Sequence, residues 1–146
     1  MTIKVTNLAE VLAGFNLTEK QIDLAAMIAT NQTALMVEGE AKRNANTGAH
    51  SANTPRIQGT GPGPNVVTGN LVNRIVAQRP VKGFAGYVAD VSSSAEYARA
   101  VELGSPRWKS GVKYPYMEPA AKKLIQDGTL NRIFTGAFTA AIGGSI

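Results

Sequence analysis

Thr18 and Gln21 carry the signature of a helix start, and the stretch they open constrains the fold more than any other part of the chain. A threonine hydroxyl can accept the amide hydrogen three residues on, while a glutamine placed there reaches back to the cap. The pattern predicts a helix running to about Arg43, which at about 1.5 Å per residue is roughly 39 Å long. At about 100° per residue, Ile22, Ala25, Ala26, Ala29, Met36 and Val37 share one side, and Leu24, Ile28 and Leu35 lie nearly opposite. Two apolar faces require two partners. Burial of both within one subunit is one solution. A chain of 146 residues offers few elements for it, so the face of Leu24, Ile28 and Leu35 is expected to meet a neighbouring subunit.

That length suits one domain over 1–146: a helical part to residue 43, an extended loop or arm over 44–68, and a sheet with a C-terminal helix over 69–146. The absence of cysteine excludes disulfides and thiolate chemistry. No stretch approaches the roughly 20 apolar residues of a membrane span, and the first residues lack the pattern of a signal peptide, so a soluble, unexported protein is expected. The net charge of +5 is uneven. Up to Glu40, Lys4 and Lys20 are outnumbered by Glu10, Glu19, Asp23, Glu38 and Glu40, so the remainder is strongly basic. Such a remainder suits an acidic partner or is simply a solvated face.

Elsewhere, Asn7 and Glu10 suggest a short helix ending at Gly14. Residues 45–67 are rich in Asn, Thr, Ser, Gly and Pro. Such a loop is long for a compact domain, where connections beyond about 15 residues are uncommon, and it reads as an arm that orders against a partner or as a plain loop. Strands are expected over 75–81 and 84–91, linked as a hairpin through Lys82 and Gly83, with Pro80 at an edge and serines 92–94 ending the pattern. A helix over 95–103 closes at Gly104. Pro119 fits the first turn of a final helix, in which Leu130, Ile133, Phe134, Ala137, Phe138, Ala141 and Ile142 form a core stripe and Asp127-Gly128 marks a kink or break. The fold class is α+β: a small antiparallel sheet packed against the long N-terminal helix and a C-terminal helix, with a long Gly/Pro-rich loop.

Reactive chemistry is sparse. His50 is the only histidine, and no serine lies in a Gly-x-Ser-x-Gly elbow. With no metal-ligand spacing either, no enzyme activity, metal or cofactor is expected. Arg99, Arg107, Lys109, Lys113, Lys122 and Lys123, interleaved with Trp108, Tyr114 and Tyr116, would permit single-strand binding. No nucleic-acid-binding motif accompanies them, so a basic accessory protein is the alternative function.

Three motifs carry a resemblance. Val67-Thr-Gly-Asn-Leu-Val-Asn-Arg-Ile75 contributes Thr68, Gly69 and Leu71. Ala95-Glu-Tyr-Ala-Arg-Ala-Val-Glu-Leu-Gly104 contributes Tyr97, Val101, Glu102 and Gly104. Tyr114-Pro-Tyr-Met-Glu-Pro-Ala-Ala121 contributes Tyr114, Pro115 and Pro119. In this order they resemble the tail-completion or head-to-tail joining proteins of long-tailed bacteriophages, over roughly residue 62 to the end. The chain departs from the family in Leu103-Gly104-Ser105, where Phe-Gly-Thr is frequent, and in Tyr116-Met117, where Phe-Leu is common. Physically, Tyr97 and Val101 can anchor one helix face to the sheet, Gly104 can take a left-handed cap, and Glu102 needs a cation such as Arg99 or Arg107.

The resemblance implies a closed ring, sixfold in symmetry, joining the capsid neck to the tail around a channel through which DNA passes without sequence-specific binding. Neighbouring neck and tail proteins would be its partners, the virion its final place and the host cytoplasm its place of assembly. A tail terminator or a minor capsid component are the other roles it allows. The ring contacts expected from the residues are the Leu24, Ile28 and Leu35 face, together with the acidic N-terminal part of one subunit against Arg107, Lys109 and Lys113 of a neighbour or adjoining protein.

Overall fold

The computed structural model describes residues 2–4, 18–46, 69–107 and 113–143. The helix expected at 7–14, Thr68, nearly all of the Gly/Pro-rich loop, His50, Trp108 and Lys109 lie outside them.

Helix α1, Glu19–Ala45, begins where the sequence marks it. The Gln21 amide donates to Thr18 Oγ1 at 3.3 Å, and the Thr18 amide donates to Gln21 Oε1 at 3.0 Å. Ala25, Ala26, Ala29 and Val37 are buried as expected, but Met36 stands out in solvent with Leu24, Met27 and Leu35. The buried arc of α1 is lined mainly by alanine and threonine, so neighbouring backbones can come close.

The strands are β1, Thr2–Lys4; β2, Ile75–Ala77; β3, Val81–Gly83; and β4, Gly86–Ser93. β4 is central, with β1 antiparallel on one side and β2 and β3 in succession along the other. Ile75 pairs with Ser93 and Val81 with Val88, so Gln78, Arg79 and Pro80 face only Ala89 and Asp90. One extra residue makes a bulge there, and Pro80, which has no amide to donate, sits inside it. The hairpin therefore exists, with two corrections. Its turn is Phe84-Ala85, flanked by Gly83 and Gly86, and pairing continues through Ser93. Serine stays in the ladder because pairing uses the backbone, whatever the side chain prefers.

Gly69, at φ 70° and ψ 2°, delivers the chain into α2, Asn70–Asn73, which plants Leu71 in the core. After β4 come α3, Ala98–Leu103, then α4, Met117–Gln126, and α5, Thr129–Gly143. Gly128, at φ 73°, divides α4 from α5, and Asp127 Oδ1 accepts the Thr129 amide at 2.9 Å. Asn44 bonds Tyr116 and Glu40 pairs with Lys123, so α4 runs back along α1 from its C-terminal end and α5 continues in contact with it. At about 1.5 Å per residue the two together nearly match the roughly 40 Å of α1.

The core joins Val37 and Ala41 of α1 to Leu71, Ile75, Ala89, Val91, Val101, Tyr116 and Leu124. The α5 stripe is less buried than its spacing suggests: Ala137 and Ala141 are enclosed, whereas Leu130, Ile133, Phe134 and Phe138 are only half-buried, and the side chain of Ile142 lies outside the described residues. Its large residues flank the line of alanine contact with α1 instead of filling it. The architecture is α+β, as expected.

Candidate assembly site

The motif residues converge on the junction of α3 and α4. A helix start leaves four amide hydrogens without partners. At α4 the amides of Tyr116 and Met117 donate to Glu102 Oε2 at 2.7 and 3.0 Å, and that of Glu118 donates to Oε1 at 2.9 Å. The fourth position is Pro119, which has no amide hydrogen. One carboxylate from α3 thus completes the cap that Tyr116 cannot supply with its own side chain. This corrects the expectation that Glu102 pairs with Arg99 or Arg107. Its place at the end of α3 is tolerated because it also faces the positive end of the α4 dipole.

Tyr114 joins the two segments through its amide, which donates to the Val101 carbonyl at 2.8 Å, and Pro115 follows half-buried. Tyr116 is 2% exposed, and its carbonyl accepts from Asn44 Nδ2 at 3.0 Å. Burial pushes its phenol up to about 12, with the Glu102 charge adding to the shift and a hydrogen bond with Ser93 opposing it.

Tyr97 is not the expected core anchor: it is 43% exposed, and its hydroxyl accepts from Asn70 Nδ2 at 3.3 Å. Ala98 and Val101 hold α3 down instead. Gly104 has φ 88° with ψ 168°, so its cap lies in an extended positive-φ region and not in the left-handed helical one.

The acids of α1 are engaged within the subunit. Asp23 takes the Lys82 ammonium at 2.5 Å and the Tyr87 hydroxyl at 2.8 Å, and these hold it below its ordinary 3.8. Glu38 accepts from Lys42 at 2.5 Å and from the Ala77 amide at 2.8 Å. Burial pushes Glu38 up, but those two partners outweigh it and leave the group below 4.5. Glu40, buried, holds Arg43 at 2.8 Å and Lys123 at 3.0 Å. These three carboxylates are therefore already engaged within the subunit, and of the described acids of α1 Glu19 is left exposed without an ion pair. Lys122 and Lys123 leave the basic cluster too, paired with Glu118 and Glu40.

Among the described residues, apolar side chains stay open on α1 and at the hairpin tip. On α1, Leu24 is 45% and Leu35 52% exposed, Met27 and Met36 are also exposed, and Ile28 is half-buried. From Leu24 to Val37 no residue carries a charge. At the hairpin tip Phe84 is fully exposed, with Val81 close behind it. Sequence reasoning passed over Phe84, because the turn was placed two residues early, at Lys82-Gly83, and Phe84 was assigned to the strand that follows. Of the expected basic contact residues, Arg107 and Lys113 are exposed and flank α3.

No described helix is long and apolar enough to cross a membrane. No curated protein and no solved structure matches the chain. A family model does match, over residues 9–104, described as "Bacteriophage HK97-gp10, putative tail-component". The match spans α1, the Gly69–Leu71 turn, strands β2 to β4 and α3, and it ends on the Gly104 that closes α3. It takes in the N-terminal part that the motifs alone leave out, and it stops short of Tyr114 to Pro119. Covering more than half of the chain, it shows that this protein belongs to the HK97-gp10-like family of bacteriophage tail components.

Proposed function

We propose that the chain is a non-enzymatic structural subunit of the phage head-to-tail junction, and that copies of it join head to tail into a closed ring, sixfold as the resemblance implies, around the DNA channel. Neck and tail proteins adjoin that ring. The observation that carries the reading is the outer face of α1. A helix that is apolar on all sides belongs in an interior. Here one side is buried in the subunit and the other holds Leu24, Ile28 and Leu35 with no charge between Leu24 and Val37. A protein surface suits such a face, and a phosphate backbone does not.

Charge favours a head-to-tail contact over a two-fold one. An antiparallel pairing of this face centred on Asn31 sets Lys20 against Lys42 of the other copy, only partly relieved by Glu38, and a parallel pairing sets each lysine against itself. Ring closure needs two different complementary patches, and the hairpin tip with Val81 and Phe84 is the second.

The test is the double variant Leu24→Glu with Leu35→Glu. Both residues are already exposed, so the subunit should fold with stability within about 0.5 kcal/mol of the parent. Sedimentation should show assembly lost. Unchanged assembly would remove α1 from the interface.

A further inference from the structure

An antiparallel ladder leaves every second amide of an outer strand pointing away from its partner. Strand β2 lies at the end of the sheet order, beside β4. The Gln78 amide that follows it donates to the Asp90 carbonyl of β4 at 2.7 Å, and the Ser94 amide donates to the Arg74 carbonyl at 3.2 Å. With Val76 opposite Ser92 and Ala77 opposite Val91, the Ala77 amide therefore points out of the edge of the sheet. Such an edge is a template on which a further strand can pair. Ile75, Val76 and Ala77 carry no charge and two of them are β-branched, so their side chains do nothing to turn a strand away.

The edge is nevertheless occupied. Glu38 reaches it from α1, where its Oε2 accepts the Ala77 amide at 2.8 Å while its Oε1 accepts from Lys42 Nζ at 2.5 Å. A carboxylate takes the donor of the strand and offers none in return, so an incoming strand would have to displace it to set its own carbonyl there. Beyond Ala77 the bulge from Gln78 to Pro80 interrupts the edge, and farther along Asp23 of α1 holds Lys82 of β3. Helix α1 thus meets this side of the sheet twice, and Glu38 is bonded to its backbone.

We infer that Glu38 is a plug built into the fold: by occupying the Ala77 amide it keeps the β2 edge from pairing, strand against strand, with the same edge of a second copy. A second copy is the partner because two identical uncharged edges do not repel each other, and a two-fold axis sets them antiparallel. That pairing would compete with the head-to-tail contact, but the plug itself does not depend on ring closure.

The experiment compares the full chain with Glu38→Ala, which removes the acceptor, Glu38→Gln, which keeps an acceptor without the charge, and Lys42→Ala, which breaks the ion pair and leaves the plug. Two quantities are read: exchange of the Ala77 amide by NMR in dilute solution, and the infrared signal of intermolecular strands over a concentration series. Exchange should be slow in the parent, Glu38→Gln and Lys42→Ala, and about tenfold faster in Glu38→Ala. The strand signal should rise with concentration in Glu38→Ala alone. Val76→Lys, placed on that background at a residue already 45% exposed, should suppress it, because a lysine on the edge repels its own copy. The parent alone can overturn the proposal, since an Ala77 amide that exchanges there as fast as an open one is not plugged. A Glu38→Ala chain without strand signal would show that something else closes the edge. The same signal in Glu38→Gln and Lys42→Ala would assign it to the lost ion pair, and a signal that survives Val76→Lys would place the pairing elsewhere; each of these contradicts the plug. Sedimentation of the same samples reads a closed ring as one discrete mass, so loss of the ring and opening of the edge are told apart.

Discussion

Glu102 shows how much one side chain can organise. Its carboxylate satisfies three amides at the start of α4 and ties that helix to α3, so Glu102→Ala should lower unfolding stability by about 2 kcal/mol, read by urea denaturation. A loss no larger than that of an ordinary surface change would contradict the capping role. Thr33 is the opposite case: its hydroxyl is buried without a partner, so Thr33→Val, similar in shape, should raise stability by about 1 kcal/mol. The acids of α1 set the response to pH. Asp23 and Glu38 are both held below their ordinary values of 3.8 and 4.5, so their contribution is present above that range and lost as pH falls through the lowered values. The melting temperature should hold down to about pH 5 and drop below it, and Asp23→Asn with Glu38→Gln should flatten that limb. At this scale the sequence marked Glu102 as needing a partner but not which one, because the amides it binds lie more than ten residues on and only the fold brings them to it.

Helix α1 was legible because its start is encoded locally, by a capping box in adjacent turns. The break between α4 and α5 was legible for the same reason, through Asp127 and Gly128. The sheet was not read as well. β1 has three residues and exists only through its pairing with β4, and the bulge at Gln78 to Pro80 shifts the register that a two-residue alternation would assume. The α5 stripe was recognised but its depth was not, since spacing tells which side faces inward and not how closely the partner approaches. Gly39 tests α1 as an element. A Cβ there would meet nothing within 4 Å, so Gly39→Ala should stabilise the isolated subunit by about 1 kcal/mol. A fall in its urea midpoint would mean that the helix is constrained at that turn.

At the scale of the molecule, α+β architecture followed from element types and their order, and membership of a phage tail-component family is borne out over residues 9–104. The assembly surfaces were only half legible. Opposed apolar faces on α1 could be counted from the sequence, whereas the internal capture of Asp23, Glu38 and Glu40 by Lys82, Lys42, Arg43 and Lys123 depends on tertiary contacts and redirects the expected charge pairing. Among the described residues, what stays outside the subunit's own packing is an uncharged helix face, an exposed phenylalanine at a hairpin tip, and the exposed Arg107 and Lys113. The mass of the full chain in solution, alone and mixed with purified tail components, tests the central claim most directly. A closed ring, with a mass several times that of the 15.3 kDa subunit in at least one of the two conditions, is the predicted result, and a monomer in both would contradict it.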